Sequence, residues 1–152
     1  MKRIILLILI ILMMIIIFLF SDSNGEESTK HSMGLIGKTI GFIAEIVNPD
    51  ISEEDKILLY EKYHLPVRKI AHISEYFILS LLVCLFLITY DINYIKVIIY
   101  TFIFCFLYAC SDEMHQLFVP GRSGNIIDVF IDSIGISLSL VVYYFKKRVK
   151  VL

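Results

Sequence analysis

Ile4–Phe20 has the sequence IILLILIILMMIIIFLF, in which no side chain is charged. Its 17 residues reach the lower limit for a helix that crosses a bilayer. A secretory signal peptide has a shorter apolar core of about 7–15 residues and ends in small residues before its cleavage site. Here the run ends in FLFSDSNG without an A-x-A pattern, so residues 1–20 are predicted to be a retained transmembrane signal anchor.

Three further apolar runs follow it, at Tyr76–Tyr90, Ile95–Cys110 and Ile126–Phe145. Hydrophobic residues make up 58% of the chain, against roughly 45–50% in an ordinary soluble domain. The two middle runs are shorter than the ~20 residues of a span and must therefore include part of their polar flanks. We predict an all-α integral membrane bundle of four transmembrane helices, at 1–20 and at about 68–90, 95–114 and 126–145.

The distribution of lysine and arginine predicts the orientation of these spans. The N-terminus, the loop DINYIK and the tail KKRVK together hold seven Lys or Arg residues and only one acidic residue, Asp91. Basic residues close to the ends of spans favour the cytoplasmic side. We therefore expect a multi-pass protein of the cell membrane with both termini in the cytoplasm.

The segment 21–67 is expected to lie outside, as the first part of a single domain 21–152. Ile36, Ile40, Ile43 and Val47 recur at helical spacing, which predicts an amphipathic helix that lies on the outer leaflet or covers the bundle. Ser52 stands three residues before an acidic residue, as at a helix N-terminus. We predict a short surface helix there that ends before Pro66, with Pro66 in the first turn of the next helix.

Polar residues of three predicted spans fall at one depth. At a rise of about 1.5 Å per residue, Glu75 lies ~22 Å above Tyr90 at the inner boundary of a core about 30 Å thick. Asp132 lies ~9 Å below the outer boundary at Ile126, which is close to the depth of Glu75. A charged side chain at membrane depth is costly and normally faces the bundle interior with a partner. We infer one polar pocket that opens to the outside and is floored by Glu75 and Asp132.

Residues on shared helix faces supply the members of this pocket. The candidates for proton transfer are His72, Glu75, Asp112, His115 and Asp132, and those for binding are Lys69, Glu113, Gln116, Gly121, Arg122 and Asp128. Gly121 and Arg122 precede the fourth helix, whose free N–H groups favour an anion. No HExxH or close ligand triplet predicts a metal, and we expect no cofactor and no nucleic-acid partner.

Structural roles remain open for some of these residues. Asp128 could have a purely structural role, as a charge that complements the dipole of the fourth helix, with Asn125 or Ser123 as the cap. His72 and Glu75 could be a structural pair between helices. The three cysteines lie in apolar runs and are expected to be free thiols.

The segments RKIAHISEYFILSLLV and YACSDEMHQLFVPGRSGNIIDVFIDSIG resemble the motifs of the VanZ-like family of bacterial membrane proteins. The Ser-rich stretch after the first span is also similar, so the resemblance covers Ser21 to Gly135. One departure is Asp132 followed by Ser133, where many members carry Asn. The motif positions are Lys69, His72, Glu75, Tyr76, Ser111, Asp112, Glu113, His115, Gln116, Pro120, Gly121, Arg122, Asp128, Asp132 and Gly135.

The resemblance implies a cell-envelope function. The family's namesake is linked to resistance to the glycopeptide antibiotic teicoplanin, without the precursor rewriting that underlies high-level vancomycin resistance. Membrane lipids, a lipid-linked cell-wall precursor or the antibiotic itself are the expected partners. Four interpretations stay open: a non-catalytic envelope protein whose pocket binds a lipid or a partner membrane protein, a membrane-embedded hydrolase or transferase, a proton-coupled transport subunit, and a purely structural cluster.

Overall fold

The computed structural model describes residues 1–22, 35–119 and 124–149, and these ranges contain helices but no strand. The helices are α1 (Lys2–Asp22), α2 (Leu35–Val47), α3 (Glu53–Ile88), α4 (Tyr94–Gln116) and α5 (Ile126–Val149). Four of them, all except α2, are long and apolar enough to cross a membrane. The predicted all-α membrane bundle of four helices is confirmed.

Helix α3 is the centre of the bundle and contacts each of the other four helices. It runs parallel to α5, since His72 lies beside Asp132 and Ser80 beside Ser139. It runs antiparallel to α4, because Arg68 lies beside Gln116 and Cys84 beside Thr101. These contacts enclose an apolar core, to which Tyr76, Leu79, Val83, Ala109, Val129 and Ile136 contribute buried side chains.

Small polar side chains join the helices inside this core. The Ser139 hydroxyl donates a hydrogen bond of 2.6 Å to the Ser80 hydroxyl, and both residues are fully buried. The Cys84 thiol lies 3.5 Å from the Thr101 hydroxyl. Small residues and interhelical hydrogen bonds of this kind hold transmembrane helices together, because lipid provides no hydrophobic driving force between them. Cys84, Cys105 and Cys110 are all free thiols.

Helices α3 and α5 approach each other closely at Gly135. A Cβ atom placed on this residue would collide with the carbonyl oxygen of Ile73 and would lie 3.1 Å from the backbone nitrogen of Phe77. Only glycine therefore fits between the two backbones, and this contact sets the separation of the helices next to His72 and one turn from Asp132.

Helix α1 is attached to the bundle along its whole length. Arg3 donates a hydrogen bond of 2.5 Å to the carbonyl oxygen of Thr89, and its guanidinium lies 4.3 Å from the ring centre of Tyr90. Further along, the Tyr108 hydroxyl donates to the carbonyl oxygen of Met14. The start of α1, the α3–α4 loop and the last turn of α5 thus share one end of the bundle, called here the terminal end.

The predicted helix boundary at Pro66 is wrong. Helix α3 continues from Glu53 through Pro66 to Ile88, although proline removes one backbone hydrogen bond. Packing on both sides of the proline compensates for this loss. Helix α2 lies beside the start of α3, where Lys56 pairs with Glu45, and the bundle contacts the second half through His72 and Ser80. The predicted helix start is confirmed, because the Ser52 hydroxyl oxygen accepts a hydrogen bond of 3.1 Å from the Asp55 N–H.

Helix α2 forms as predicted, but its predicted apolar face is only partly buried. Ile40 and Ala44 pack against α3, whereas Ile43 and Val47 are 54% and 80% exposed. The side chain of Ile36 lies outside the described part of the chain. Because α3 is the one described helix that α2 contacts, a strip one residue wide is covered rather than the whole apolar face.

Replacing Gly135 by alanine tests the backbone contact. We expect Gly135→Ala to force α3 and α5 apart and to lower the unfolding temperature of the purified protein by several degrees, or about 1–3 kcal/mol. The matched control is Gly41→Ala in α2, where a Cβ meets no atom within 4 Å. Alanine is a better helix former than glycine, so the unfolding temperature of the control should equal or exceed that of the wild type. Equal unfolding temperatures for the two variants would contradict this account of α3–α5 packing.

Candidate functional site

A small cleft lies between α3 and α5 at the end of the bundle opposite the terminal end. Its volume is about 50 Å³, and at about 10–15 Å³ per water position it has room for a few waters. It is lined by Leu65, Arg68, Lys69, His72, Glu113, Asp128, Ile131 and Asp132. Five of these eight residues were predicted as site residues from the sequence.

Two side chains from different helices form the floor of the cleft. His72 Nδ1 lies 3.7 Å from Asp132 Oδ1 and 3.9 Å from Glu75 Oε2, so the imidazole stands between two carboxyl groups. Asp132 is only 1% exposed, and its Oδ2 atom has no hydrogen-bond partner among the described residues. His72 and Glu75 share a face of α3 at a spacing of three residues, as the sequence predicted.

The mouth of the cleft is formed by an ion pair one turn above this floor. Lys69 Nζ lies 3.3 Å from Asp128 Oδ1, and the two side chains are 48% and 31% exposed. Since exposure rises from Asp132 to Lys69, the cleft opens toward the end of the bundle. Asp128 also stands in the first turn of α5, where Asn125 Oδ1 accepts from the Ile127 N–H as the cap. Asp128 therefore has both the dipole position and a specific partner.

The third wall of the cleft comes from the end of α4, where Gln116 organises the polar groups. Its amide nitrogen donates to Asp112 Oδ2 at 3.2 Å and to Glu113 Oε1 at 3.3 Å. Its amide oxygen accepts a hydrogen bond of 2.8 Å from Arg68. Glu113 also accepts from the backbone N–H of Asn125 at 2.9 Å. One buried amide thus connects α3 with α4, and Glu113 connects α4 with the start of α5.

His115 does not line the cleft, although the sequence grouped it with Asp112 and Gln116. Its ring centre lies 4.6 Å from that of Phe18 on α1. Glu113 and His115 are two residues apart, or roughly 200° around a helix. Because Glu113 faces α5, His115 faces α1 on the other side of the bundle.

The loop between α4 and α5 is described only at its two ends. Gly121 and Arg122, predicted as an anion site, lie outside the described residues. Gly124 is described, and a Cβ there would collide with the Glu113 carbonyl oxygen and lie 2.9 Å from Leu117 Cγ. The chain crosses closely over the end of α4 at this point, which brings Asn125 to Glu113.

Three lining residues were not among the sequence candidates: Leu65, Arg68 and Ile131. The signal for Arg68 was present, since it stands four residues before His72 on the same helix face. Tyr76 continues this face one turn deeper, and its hydroxyl is buried without a hydrogen-bond partner among the described residues. Leu65 and Ile131 could not be recognised as lining residues from the sequence, because apolar residues occur both on the lipid-facing and on the buried faces of a membrane helix.

The described cluster contains more acids than bases. Five carboxyl groups, those of Glu75, Asp112, Glu113, Asp128 and Asp132, surround two permanent cations, Arg68 and Lys69, and the histidine His72. An ionised carboxyl group at the centre of a membrane helix costs about 2.5–3.5 kcal/mol, so these acids need protons, hydrogen-bond donors or a cationic ligand. No group of three or more His, Cys, Asp or Glu within the described ranges is arranged to hold a metal ion.

Comparison with known proteins identifies a family for this chain. A family model described as VanZ/LLP1 matches residues 6–147, which include every helix that lines the cleft. The chain belongs to the VanZ/LLP1 family. Comparison with curated proteins and with solved structures found no match. Membership in VanZ/LLP1 supports a membrane protein. The family match itself says nothing about the cleft.

Removing the Gln116 amide tests the network at the end of α4. We expect Gln116→Leu, a change of similar volume, to destabilise the protein by about 1–3 kcal/mol, because Arg68, Asp112 and Glu113 each lose a buried hydrogen bond. The unfolding temperature of the detergent-purified protein measures this loss. Met114→Leu, two residues away on an exposed position of α4, is the control and should leave the temperature unchanged. Unaltered stability of Gln116→Leu would show that the network does not hold α3 and α4 together.

Proposed function

We propose that this VanZ/LLP1 protein resides in the bacterial cell membrane with both termini in the cytoplasm. The cleft then faces the outside, where it binds the anionic headgroup of a lipid-linked cell-wall precursor or of a glycopeptide antibiotic. The orientation is supported by charge, because Lys2, Arg3, Lys96, Lys146 and Lys147 all belong to the terminal end of the bundle. Basic residues at one end of the spans favour the cytoplasmic side.

The observation that carries the proposal is the pair of cations at the cleft. Arg68 lines it with a guanidinium whose described hydrogen bond goes to the neutral amide oxygen of Gln116. Arginine has five N–H donors in a planar fork that matches a phosphate or carboxylate, so donors remain for a ligand.

Lys69 adds a second, movable cation. Its distance of 3.3 Å to Asp128 exceeds the 2.7–2.9 Å of a short charge-assisted hydrogen bond, and half of its side chain is exposed. The ammonium has three donors and a half-exposed side chain, so it can turn toward an entering anion. Arg68 and Lys69 would then hold the anion from the α3 side of the cleft.

Such a site fits an effect on glycopeptide drugs. A headgroup held at the outer end of the bundle is at the level where lipid-linked precursors and the drugs meet. By similarity to the family's namesake, this protein would change how teicoplanin reaches or accumulates at the cell surface, without altering the precursor chemically.

One observation favours an enzymatic alternative. His72 stands between Glu75 and Asp132 at 3.9 and 3.7 Å, and an imidazole oriented by carboxylates is a common general acid or base. In this alternative, the protein is a hydrolase or transferase that acts on a lipid headgroup held by Arg68 and Lys69.

Drug susceptibility tests the binding proposal. We expect expression of the wild type in a sensitive Gram-positive host to reduce teicoplanin susceptibility relative to the empty vector, and Asp132→Asn to abolish the protection at equal membrane abundance. Asp50→Asn makes the same chemical change at an exposed turn far from the cleft and should protect like the wild type. Full protection by Asp132→Asn would show that the resistance effect does not depend on the cleft. Absence of protection by the wild type would refute the resistance function.

A turnover assay separates the binding protein from the enzyme. Purified wild type is incubated with headgroup-labelled phospholipids and a labelled undecaprenyl-linked precursor, beside His72→Ala. The binding proposal expects the same background release of label from both proteins. Release by the wild type that is lost in His72→Ala would replace the binding proposal with the enzymatic alternative.

A further inference from the structure

We infer that the ligand of the cleft is zwitterionic, with an anionic group held by Arg68 and Lys69 and a primary ammonium held by Asp132 on the floor. This inference rests on the proposed function, since it assumes that the cleft binds an anion, and it adds the second charge and the spacing between the two.

The first argument is the hydrogen-bonding state of Asp132. This side chain is 1% exposed and lines the cleft, yet its Oδ2 atom has no hydrogen-bond partner within the described residues. Its Oδ1 atom lies 3.7 Å from His72, which is beyond hydrogen-bond distance. A buried acceptor without a donor costs about 1–3 kcal/mol, and more when it is charged. A ligand that brings a donor to this oxygen removes that cost, and an ammonium group brings three donors.

The second argument is charge balance. Among the described residues that line the cleft, three carboxyl groups, those of Glu113, Asp128 and Asp132, face two permanent cations, Arg68 and Lys69. A purely anionic ligand would increase the excess of negative charge in a weakly polar environment. A zwitterion adds one charge of each sign and leaves the balance unchanged, so it can place its anion on Arg68 and Lys69 without repulsion from the floor.

Glu113 does not compete with Asp132 for the ammonium. Its Oε1 atom accepts from the Gln116 amide at 3.3 Å and its Oε2 atom accepts from the Asn125 N–H at 2.9 Å. Both of its oxygens already have a donor, whereas Oδ2 of Asp132 has none among the described groups. The ammonium should therefore be held by Asp132, and Glu113 should contribute only long-range electrostatic attraction.

The geometry of the two helices gives the spacing of the ligand's charges. Lys69 precedes His72 by three residues on α3, and Asp128 precedes Asp132 by four on α5, so mouth and floor are about one helical turn, ~5.4 Å, apart. An aminoethyl phosphate, whose two charges are separated by two carbon atoms, matches this spacing better than an α-amino acid, whose charges share one carbon.

The size of the cleft limits how much of the ligand enters it. A volume of about 50 Å³ holds a few waters, so only the charged tip of a larger molecule or a small zwitterion fits without movement of the helices. The same chemistry occurs in an ethanolamine phospholipid headgroup and in soluble phosphoethanolamine, and the test below distinguishes these sources.

Titration calorimetry on the full-length protein, purified in detergent, tests the inference with O-phosphoethanolamine, inorganic phosphate, ethanolamine and glycine. We expect O-phosphoethanolamine to bind at least ten-fold more tightly than the other three. Asp132→Asn should lose this ten-fold preference and keep its affinity for phosphate, while Lys69→Gln should lose affinity for both phosphates. Lys62→Gln, an exposed lysine two turns before Lys69, is the control and should bind as the wild type does. An unchanged unfolding temperature establishes that each variant is folded.

The outcomes separate the two proposals. Equal affinity of the wild type for phosphate and O-phosphoethanolamine would overturn the zwitterion and leave anion binding in place, and so would an undiminished preference in a folded Asp132→Asn. Binding of neither phosphate compound would overturn anion binding and the zwitterion together.

Nanodiscs identify the source of the zwitterion. A ten-fold weaker apparent affinity for O-phosphoethanolamine in phosphatidylethanolamine nanodiscs than in phosphatidylglycerol nanodiscs would show that the lipid headgroup occupies the cleft. Equal affinity in both kinds of nanodisc would assign the site to a soluble zwitterion.

Discussion

The backbone contact between Gly135 and Ile73 is the constraint on which the site depends. Two parallel helices cannot approach this closely with a side chain between them, so the glycine decides where α3 and α5 touch. Asp132 lies one turn from this contact and His72 is the residue next to Ile73, which brings their side chains within 3.7 Å. Toward the end of the bundle the two helices leave room for the cleft. On the Gly135 side the two backbones are in contact, and among the described residues the cleft opens at the end where Lys69 and Asp128 lie.

The polar groups at this end are compatible with an apolar bundle because most of them are partners of one another. Gln116 supplies donors to Asp112 and Glu113 and an acceptor to Arg68, and the backbone of Asn125 supplies a further donor to Glu113. This arrangement fixes the end of α4 against both neighbouring helices, which is a structural function. Asp132 differs, since it lines the cleft and its buried Oδ2 atom accepts no hydrogen bond from any described group. The network can therefore be separated into a part that holds the helices and a part that is available to a ligand.

The sequence predicts the spans and the depth of the polar groups because hydropathy and helical rise are local properties. The equal depths estimated for Glu75 and Asp132 correspond to the observed contacts of His72 with both carboxyl groups. The direction that each side chain faces depends on neighbouring helices, and there the predictions were less complete. His115 lies against α1 because Glu113, two residues earlier, is turned toward α5. The continuation of α3 through Pro66 had the same origin, since packing of α2 and of the bundle against α3 offsets the missing hydrogen bond.

The excess of acids over bases also bears on what the cleft can bind. A site for anions alone would be expected to concentrate cations, as in the arginine clusters that bind phosphate. Among the described lining residues, the permanent cations Arg68 and Lys69 both lie on α3, while the most buried lining residue is an aspartate. A proton or an ammonium on the floor would offset the charge of Asp132 and so favour a negative group at the mouth. The two halves of the cleft are therefore coupled through charge, and any ligand or reaction assigned to Arg68 and Lys69 must also account for the charge of Asp132.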